Sequence, residues 1–390
     1  KENQPMTNRD RVLNLIDGKP TDRLIWAPRM KIWYKANKNQ GTLPEKYQGK
    51  SLIEIESMLG AVAAASARIP WKQRAPQPND QIMQQRFNTV EVEKKTEGNR
   101  EVLIYKTPIG SVTETYLLNF EAIEKDMPMQ RHLDEHLIKE EKDYEIAEYI
   151  YQDITYTPTY DNYFAFEKEL GDHGVPIVGL DRDPMFLIMQ NLIGYNQFFF
   201  EFHDHKPRVE RLYEVLCKKF EEFKPIVLDS PAKILLGAYH YDCRMISPLF
   251  FDEYMKPYLK PFAAELQKRG KHLGLHADAD SEGLFKNIIE SGFTFIDCFA
   301  TDPIVDTTFE EAVDAWKDQV VIYGGVSSNL IIPSLCSEGD FDGYLERLFK
   351  TIKEKPCRVL VGIVDLVMPD ADMNRVEKMG RMVERFEFSL

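Results

Sequence analysis

The sequence predicts an α/β protein, a (β/α)8 TIM barrel with an N-terminal extension and an inserted antiparallel β-meander. Three observations carry that prediction. From about residue 140 onward, short apolar runs alternate with amphipathic helical patterns, as a parallel sheet with covered strands requires. Between Thr89 and Leu118 the pattern changes to period two, the mark of a sheet with one wet face. Several apolar runs also end in ionisable residues, and a β/α barrel carries its reactive groups at the C-terminal ends of its strands.

The elements follow in order. Thr7-Asn-Arg-Asp10 opens a helix as a capping box with Asp in place of Glu, ahead of the apolar positions Val12, Leu13, Leu15 and Ile16. Leu24 to Ala27 is a short buried strand, and one more strand is expected in the 52–70 region. In the 89–118 meander, Val90, Val92, Val102, Ile104, Val112 and Tyr116 alternate with polar residues, and Glu97-Gly-Asn and Pro108-Ile-Gly supply the turns. The later strands are Pro176–Leu180, Ile234–Ala238, His272–His276, Phe293–Asp297, Gln319–Gly324 and Arg358–Ile363. Helices are expected at Pro207–Phe223, Pro248–Arg269, Gly283–Ser291, Phe309–Trp316 and Phe341–Lys353. Ser247-Pro248 reads as an N-cap followed by proline at the first helical position, and Gly270 stands where that helix should stop. No repeat, low-complexity tract or linker splits the chain, so residues 1–390 are read as one domain. Residues 1–5 precede Met6 and carry no weight in this reading.

Composition narrows the function. A hydrophobic content of 43% and a charged content of 29% are those of a globular protein. With a formal net charge of −14 the chain repels phosphate backbones, so nucleic acid is not an expected partner. No apolar run nears the about 18 residues of a membrane span, and no signal-peptide pattern stands at the start. Cys217, Cys243, Cys298, Cys336 and Cys357 are odd in number, scattered and free of any CxxC pair, which points to a reducing cytoplasm. No strand is followed by GxGxxG or GxxxxGK[ST], which disfavours a dinucleotide or ATP site.

The segment Lys271-His-Leu-Gly-Leu-His276-Ala-Asp278-Ala-Asp280 carries the chemistry. Side chains alternate along a strand, so His276, Asp278 and, if the strand persists, Asp280 project the same way. Neighbouring strands end in Leu180-Asp-Arg-Asp183, His240-Tyr-Asp242, Asp297-Cys298, Gly324-Gly325 and Asp365. Imidazole, thiolate and carboxylate suit Zn²⁺ in a four-coordinate site with one open position. His276 and Asp278 would be ligands, with Cys298 or Asp365 as the third. Asp297 and Cys298 face opposite ways on a regular strand, so only one points inward unless the strand has ended. The metal-free alternative is a set of general acids and bases with their pKa values pushed apart by crowding.

Over nearly its whole length the chain resembles the uroporphyrinogen decarboxylase superfamily. Met6 to Arg23 is similar to the family's opening helix and turn, Ile246 to Tyr258 to its signature helix, and Lys268 to His276 to the strand that follows. The decarboxylase branch carries an Arg-Gln-Ala-Gly-Arg segment for propionate binding. Here Ala27-Pro-Arg-Met-Lys-Ile-Trp-Tyr34 stands in its place, with a single Arg and added aromatic residues, which disfavours a substrate rich in carboxylates. Zinc methyltransferases of the superfamily carry a His-x-Cys motif and a second Cys near the last strand. Those positions fall on His276, Asp278 and Asp365, so both thiolates are carboxylates in this chain. A harder site favours an oxygen substrate over a thiol.

Trp33 to Pro44, His240 to Pro248, His276 to Asp280 and Val367 to Ala371 resemble most the aryl-methyl-ether branch. The resemblance implies a methyltransferase that moves a methyl group from a methoxylated aromatic compound to the cobalt of a separate corrinoid protein. The residues suit that chemistry: Trp26, Arg29, Trp33, Tyr34 and Tyr239 would surround the aromatic ring, and His240, Asp242 and Asp365 are the candidate catalytic groups, His240 and Asp242 ending a neighbouring strand where they would protonate or orient the ether. The chain has no Asp-x-His-x-x-Gly corrinoid-binding motif, so the corrinoid would arrive on its partner, in a transient contact over the barrel mouth. Two other readings stay open: a zinc-free lyase acting on a carboxylated ring, and a non-catalytic corrinoid-binding protein. The oligomeric state, a homodimer included, is open too.

Overall fold

The computed structural model describes residues 5–63, 82–124 and 130–388. Its strands are β1 (Ile25–Ala27), β2 (Met83–Phe87), β3 (Glu91–Glu97), β4 (Arg100–Thr107), β5 (Gly110–Leu118), β6 (Arg131–Glu135), β7 (Ile154–Pro158), β8 (Ile177–Gly179), β9 (Ile234–Tyr239), β10 (His272–His276), β11 (Phe295–Phe299), β12 (Val321–Ser327) and β13 (Arg358–Val364). They fall into two compact units, one holding β1 and β8–β13 and the other β2–β7.

The first unit is a seven-stranded sheet in the order β1-β13-β12-β11-β10-β9-β8, and every pairing in it is parallel. Its strands are near-continuous apolar runs because both faces are covered; all six residues of β9 and all five of β11 are buried. The sheet is curled. Ile25 of β1 and Ile177 of β8, at opposite ends of the strand order, share one core cluster with Ile234, Phe295, Val321 and Leu360. Val12 and Ile16 of the helix Asn8–Ile16 join the same cluster. That helix starts at the capping box read from the sequence, with Thr7 and Asp10 each bonding the other's backbone N–H.

A TIM-barrel-like fold is therefore present in seven strands. Where a further strand was expected, in the 52–70 region, Leu52–Met58 is a helix capped by Ser51 and Glu54. Period-four spacing of Ile55 and Leu59, not a strand run, decided that stretch. Beyond it, Val62 N donates to Trp26 O at 2.9 Å, and Ala63 makes an isolated parallel bridge with Gly174. Residues 64–70 of that expectation lie outside the described residues.

The expected 248–269 helix is interrupted. Pro248–Phe250 is followed by a π-helical turn, Phe251–Met255, before Lys256–Lys268. Pro257 and Pro261 lack the N–H groups that a regular α-helix would use there. The Ser247 cap is present and Gly270 has φ 63°, as expected.

In the second unit β3-β4-β5-β6 form an antiparallel sheet that extends the expected meander by one strand, and β2 pairs with β7 antiparallel. The unit also takes in the helices Glu141–Gln152 and Lys206–Phe220. Within the sheet, Glu114 is buried and accepts from the Tyr105 hydroxyl at 2.7 Å. Among the described residues, no helix is long and apolar enough to cross a membrane.

Candidate active site at the C-terminal edge of the parallel sheet

His276 ends β10 and is 3% exposed. Its Nδ1 lies 2.6 Å from Asp297 Oδ2 and its Nε2 lies 3.5 Å from Asp278 Oδ2. The other oxygen of Asp278 is hydrogen-bonded to His240 Nδ1. The other oxygen of Asp297 is ion-paired with Arg29, whose guanidinium lies 4.1 Å above the Tyr323 ring. A chain of hydrogen-bonded ionisable groups thus runs Arg29–Asp297–His276–Asp278–His240, across the ends of β1, β11, β10 and β9, buried at its Arg29 end and partly open at His240.

The backbone is bent to build it. Arg29, His240 and Cys298 have φ of 56°, 57° and 58°, in the left-handed region that residues other than glycine rarely adopt. At His240 the bend follows the last residue of β9, and its N–H donates to His276 O at 2.9 Å. At Cys298 it answers the question left by strand alternation. The register of β11 against β12 slips between Asp297 and Phe299, so Cys298 is a bulge residue in the conformation that glycine usually supplies. Asp297 and Cys298 therefore both reach the site: Asp297 meets His276, and Cys298 Sγ lies 3.4 Å from Asp365 Oδ1. Gly324 of β12 makes room, since a Cβ there would stand 2.8 Å from both N and O of Phe299. Gly324 and Gly325 thus lie inside a strand rather than in the turn that follows one.

Electrostatics follow the geometry. Burial opposes ionisation of Asp278, but its hydrogen bonds to His240 and His276 hold it well below the usual carboxylate range. Burial likewise opposes a charged His276, and the bonds to Asp278 and Asp297 outweigh it and raise its pKa. For Arg29 burial is overcome by the Asp297 charge, so the guanidinium is held protonated. Burial pushes the Cys298 thiol well above its ordinary range, against the pull of Arg29.

Among the described residues, two sets of donors each gather within 4.8 Å, His240–His276–Asp278 and His276–Cys298–Asp365. The structure thus divides the expected ligands: His276 belongs to both groups, Asp278 to one and Cys298 to the other. Asp242 stands outside both, accepting from Arg244 N at 2.8 Å in a turn. Asp280 is buried but turns away, accepting from Thr307 and, at 3.3 Å, from Arg244, because β10 ends at His276.

Of the expected aromatic residues, Tyr239 is beside the site, its ring centroid 6.1 Å from that of His276 and its hydroxyl 3.0 Å from Leu180 O and from Leu236 O. Trp26 is fully buried, with its indole N–H donating to Leu59 O at 3.2 Å. Trp33 packs edge-on against Tyr47 at 6.0 Å, and the Tyr34 hydroxyl donates to Lys50 O at 2.9 Å. Sequence reasoning passed over Asp297 as the hub. The signal was there: an acid inside Phe295-Ile-Asp-Cys-Phe299, a buried apolar strand, demands a cation, and Arg29 is the one that meets it.

Fold and site together define a TIM-barrel-like α/β protein with its ionisable groups gathered at strand ends. Residues 132–379 match the family model Uroporphyrinogen decarboxylase (URO-D), and the chain belongs to that family. Among solved structures it is similar to a methyltransferase from Methanosarcina mazei, with a TM-score of 0.56 and 11% identity over 98% of this chain and 99% of that one. At that identity the likeness is one of fold. No curated protein matches the chain.

Proposed function

We propose that the protein is a methyltransferase that moves a methyl group from a methoxylated aromatic compound to the Co(I) of a separate corrinoid protein, an O-demethylation. The observation that carries this reading is the buried Arg29–Asp297–His276 chain ending on Asp278 at the strand edge. Metal-binding imidazoles typically give their second ring N–H to a carboxylate, which fixes the tautomer and frees the other nitrogen. His276 Nδ1 meets Asp297 in that way, and its Nε2 faces Asp278. The donor chemistry around it, imidazole, carboxylate and thiol, fits Zn²⁺. His276 and Asp278 would hold the ion, with a further donor from the residues grouped with His276.

When bound, the ion supplies Lewis acidity to the ether oxygen, so that a phenolate becomes an acceptable leaving group. The chain's own residues prepare that step. Arg29 is ion-paired with Asp297, Asp297 orients His276, and Cys298 meets Asp365, which is exposed. The His240 and Asp278 side chains are 29% and 20% exposed, which leaves the group open on one side for a ligand.

Arg29 also weighs against the decarboxylase reading. A ring with many carboxylates needs cations free to meet them, and the charge of Arg29 is matched by Asp297. For the partner, Leu249, Ile304, Leu335 and Met368 are 81%, 39%, 63% and 40% exposed on connections that follow β9, β11, β12 and β13. They lie after the strand ends where the donor group opens, and supply apolar surface for a transient contact of micromolar strength, on the order of −8 kcal/mol. The same reading closes the sheet as a (β/α)8 barrel, with Val62 and Ala63 in the eighth strand. A reducing cytoplasm, which the scattered and odd-numbered cysteines of the sequence suggest, is part of the same proposal.

The test is metal analysis of the purified protein, then incubation with reduced corrinoid protein and a panel of methoxyarenes. Loss of the Co(I) spectrum with release of the matching phenol is expected. Phenol release at full rate without any corrinoid would refute the proposal.

A further inference from the structure

We propose that His240 is the third protein ligand of the metal site, giving a two-imidazole, one-carboxylate set of His240, His276 and Asp278, with no thiolate. The inference deepens the functional reading above and rests on it only for the role of the metal.

Four observations lead to it. The ligand atoms of His240, His276 and Asp278 all lie within 4.8 Å of one another. The two rings stand edge to face at 5.3 Å and 89°, with the Asp278 carboxylate sharing one oxygen with each. His276 Nδ1 is occupied by Asp297, so its Nε2 is the nitrogen turned to this group. The backbone at His240 is held at φ 57°, a conformation that costs about 1 kcal/mol or more for a residue with a Cβ. Glycine would sit there without strain, yet the position carries an imidazole that the bend brings to Asp278.

Cys298 is the rival donor, and its surroundings are different. Its Sγ is directed at Asp365, 3.4 Å from Oδ1 and 3.8 Å from the backbone oxygen, and it shares no donor group with Asp278. His276 belongs to both groups, and of the two only the His240 group contains Asp278. The His240 group offers nitrogen and oxygen donors with a partly open side, which is how three-ligand sites leave a position for substrate.

Co²⁺ is the probe. The full chain is stripped with a chelator, loaded with Co²⁺, and read by its ligand-field and charge-transfer absorption, with affinity from calorimetric titration. The wild type is expected to show ligand-field bands and no intense cobalt–thiolate band. Cys298→Ser should keep the spectrum and hold affinity within about threefold. His240→Ala should weaken binding by about 100-fold or more, beyond the 10- to 100-fold typical of changes outside the ligands. His240→Gly guards against misfolding, because it removes the ring while relieving the backbone, and it should lose binding equally while unfolding no earlier than the wild type. A thiolate band that disappears in Cys298→Ser, unchanged affinity in both His240 variants, or no cobalt binding at all would each overturn the inference. A protein that binds cobalt through His240 but demethylates nothing would refute the functional reading and leave the ligand set standing.

Discussion

Replacing Asp297 by Asn tests the buried charge chain directly. The carboxylate has two acceptor oxygens, one taken by Arg29 and one by His276 Nδ1. An Asn side chain has one acceptor and one donor, so one of those two partners is left facing an N–H. Because the Arg29 and Asp297 side chains are only 9% and 2% exposed, solvent cannot screen the loss. Removing one partner of such a pair costs about 3–5 kcal/mol, since an uncompensated charge stays buried. Asp297→Asn should therefore lose about 4 kcal/mol in urea unfolding of the metal-free protein, followed by tryptophan fluorescence. The companion is Arg29→Met combined with Asp297→Asn. With both charges gone, apolar packing over the Tyr323 ring takes the place of the pair, and the double variant should recover most of the loss. A single-variant loss under about 1 kcal/mol, or a double variant no more stable than the single one, would refute the argument.

Glu56 is 5% exposed, and burial pushes its carboxyl up to about 8. The folded state therefore holds a proton that the unfolded chain releases near its ordinary value of 4.5, so stability falls as pH rises from there to about 8. Glu56→Gln should flatten that fall and gain on the order of 4 kcal/mol over wild type at pH 9, read from urea midpoints. An equal gain at pH 4 and pH 9 would contradict it. Gly324→Ala places a Cβ 2.8 Å from the Phe299 backbone at φ 148° and should cost about 2 kcal/mol or more in thermal unfolding. A neutral result would mean that the bulge yields. Lys317, exposed with φ 52° at the end of the helix Phe309–Trp316, should gain about 1 kcal/mol on change to Gly. Destabilisation there would show that the strained position is held by something other than the local backbone.

The sheet was legible because parallel strands buried on both faces are mostly apolar, as Ile234 to Tyr239, Val359 to Val364 and, Asp297 apart, Phe295 to Phe299 are. The helix Phe309–Trp316 matches its expected bounds, since its apolar spacing and Trp316 leave little latitude. Strand ends were legible as candidates, and His240, His276, Asp278, Cys298 and Asp365 come together. Which of them touch was not legible. Contact depends on a bulge at Cys298 and left-handed backbone at His240 and Arg29, and none of these three residue types signals such a bend. Asp297 was hidden for a related reason: its partner Arg29 lies 268 positions away along the chain. The second unit was read only as a meander, because its helices show no chemistry that sets them apart from barrel helices.

The fate of a labelled methyl group tests the central claim most directly. A methoxyarene carrying an isotope-labelled methyl is turned over with reduced corrinoid protein, once with the wild type and once with His276→Ala. The account predicts that the wild type delivers the label to the corrinoid cobalt in equal amount to the phenol released, and that His276→Ala delivers almost none. Label appearing as free methanol, or transfer at an undiminished rate by His276→Ala, would contradict it.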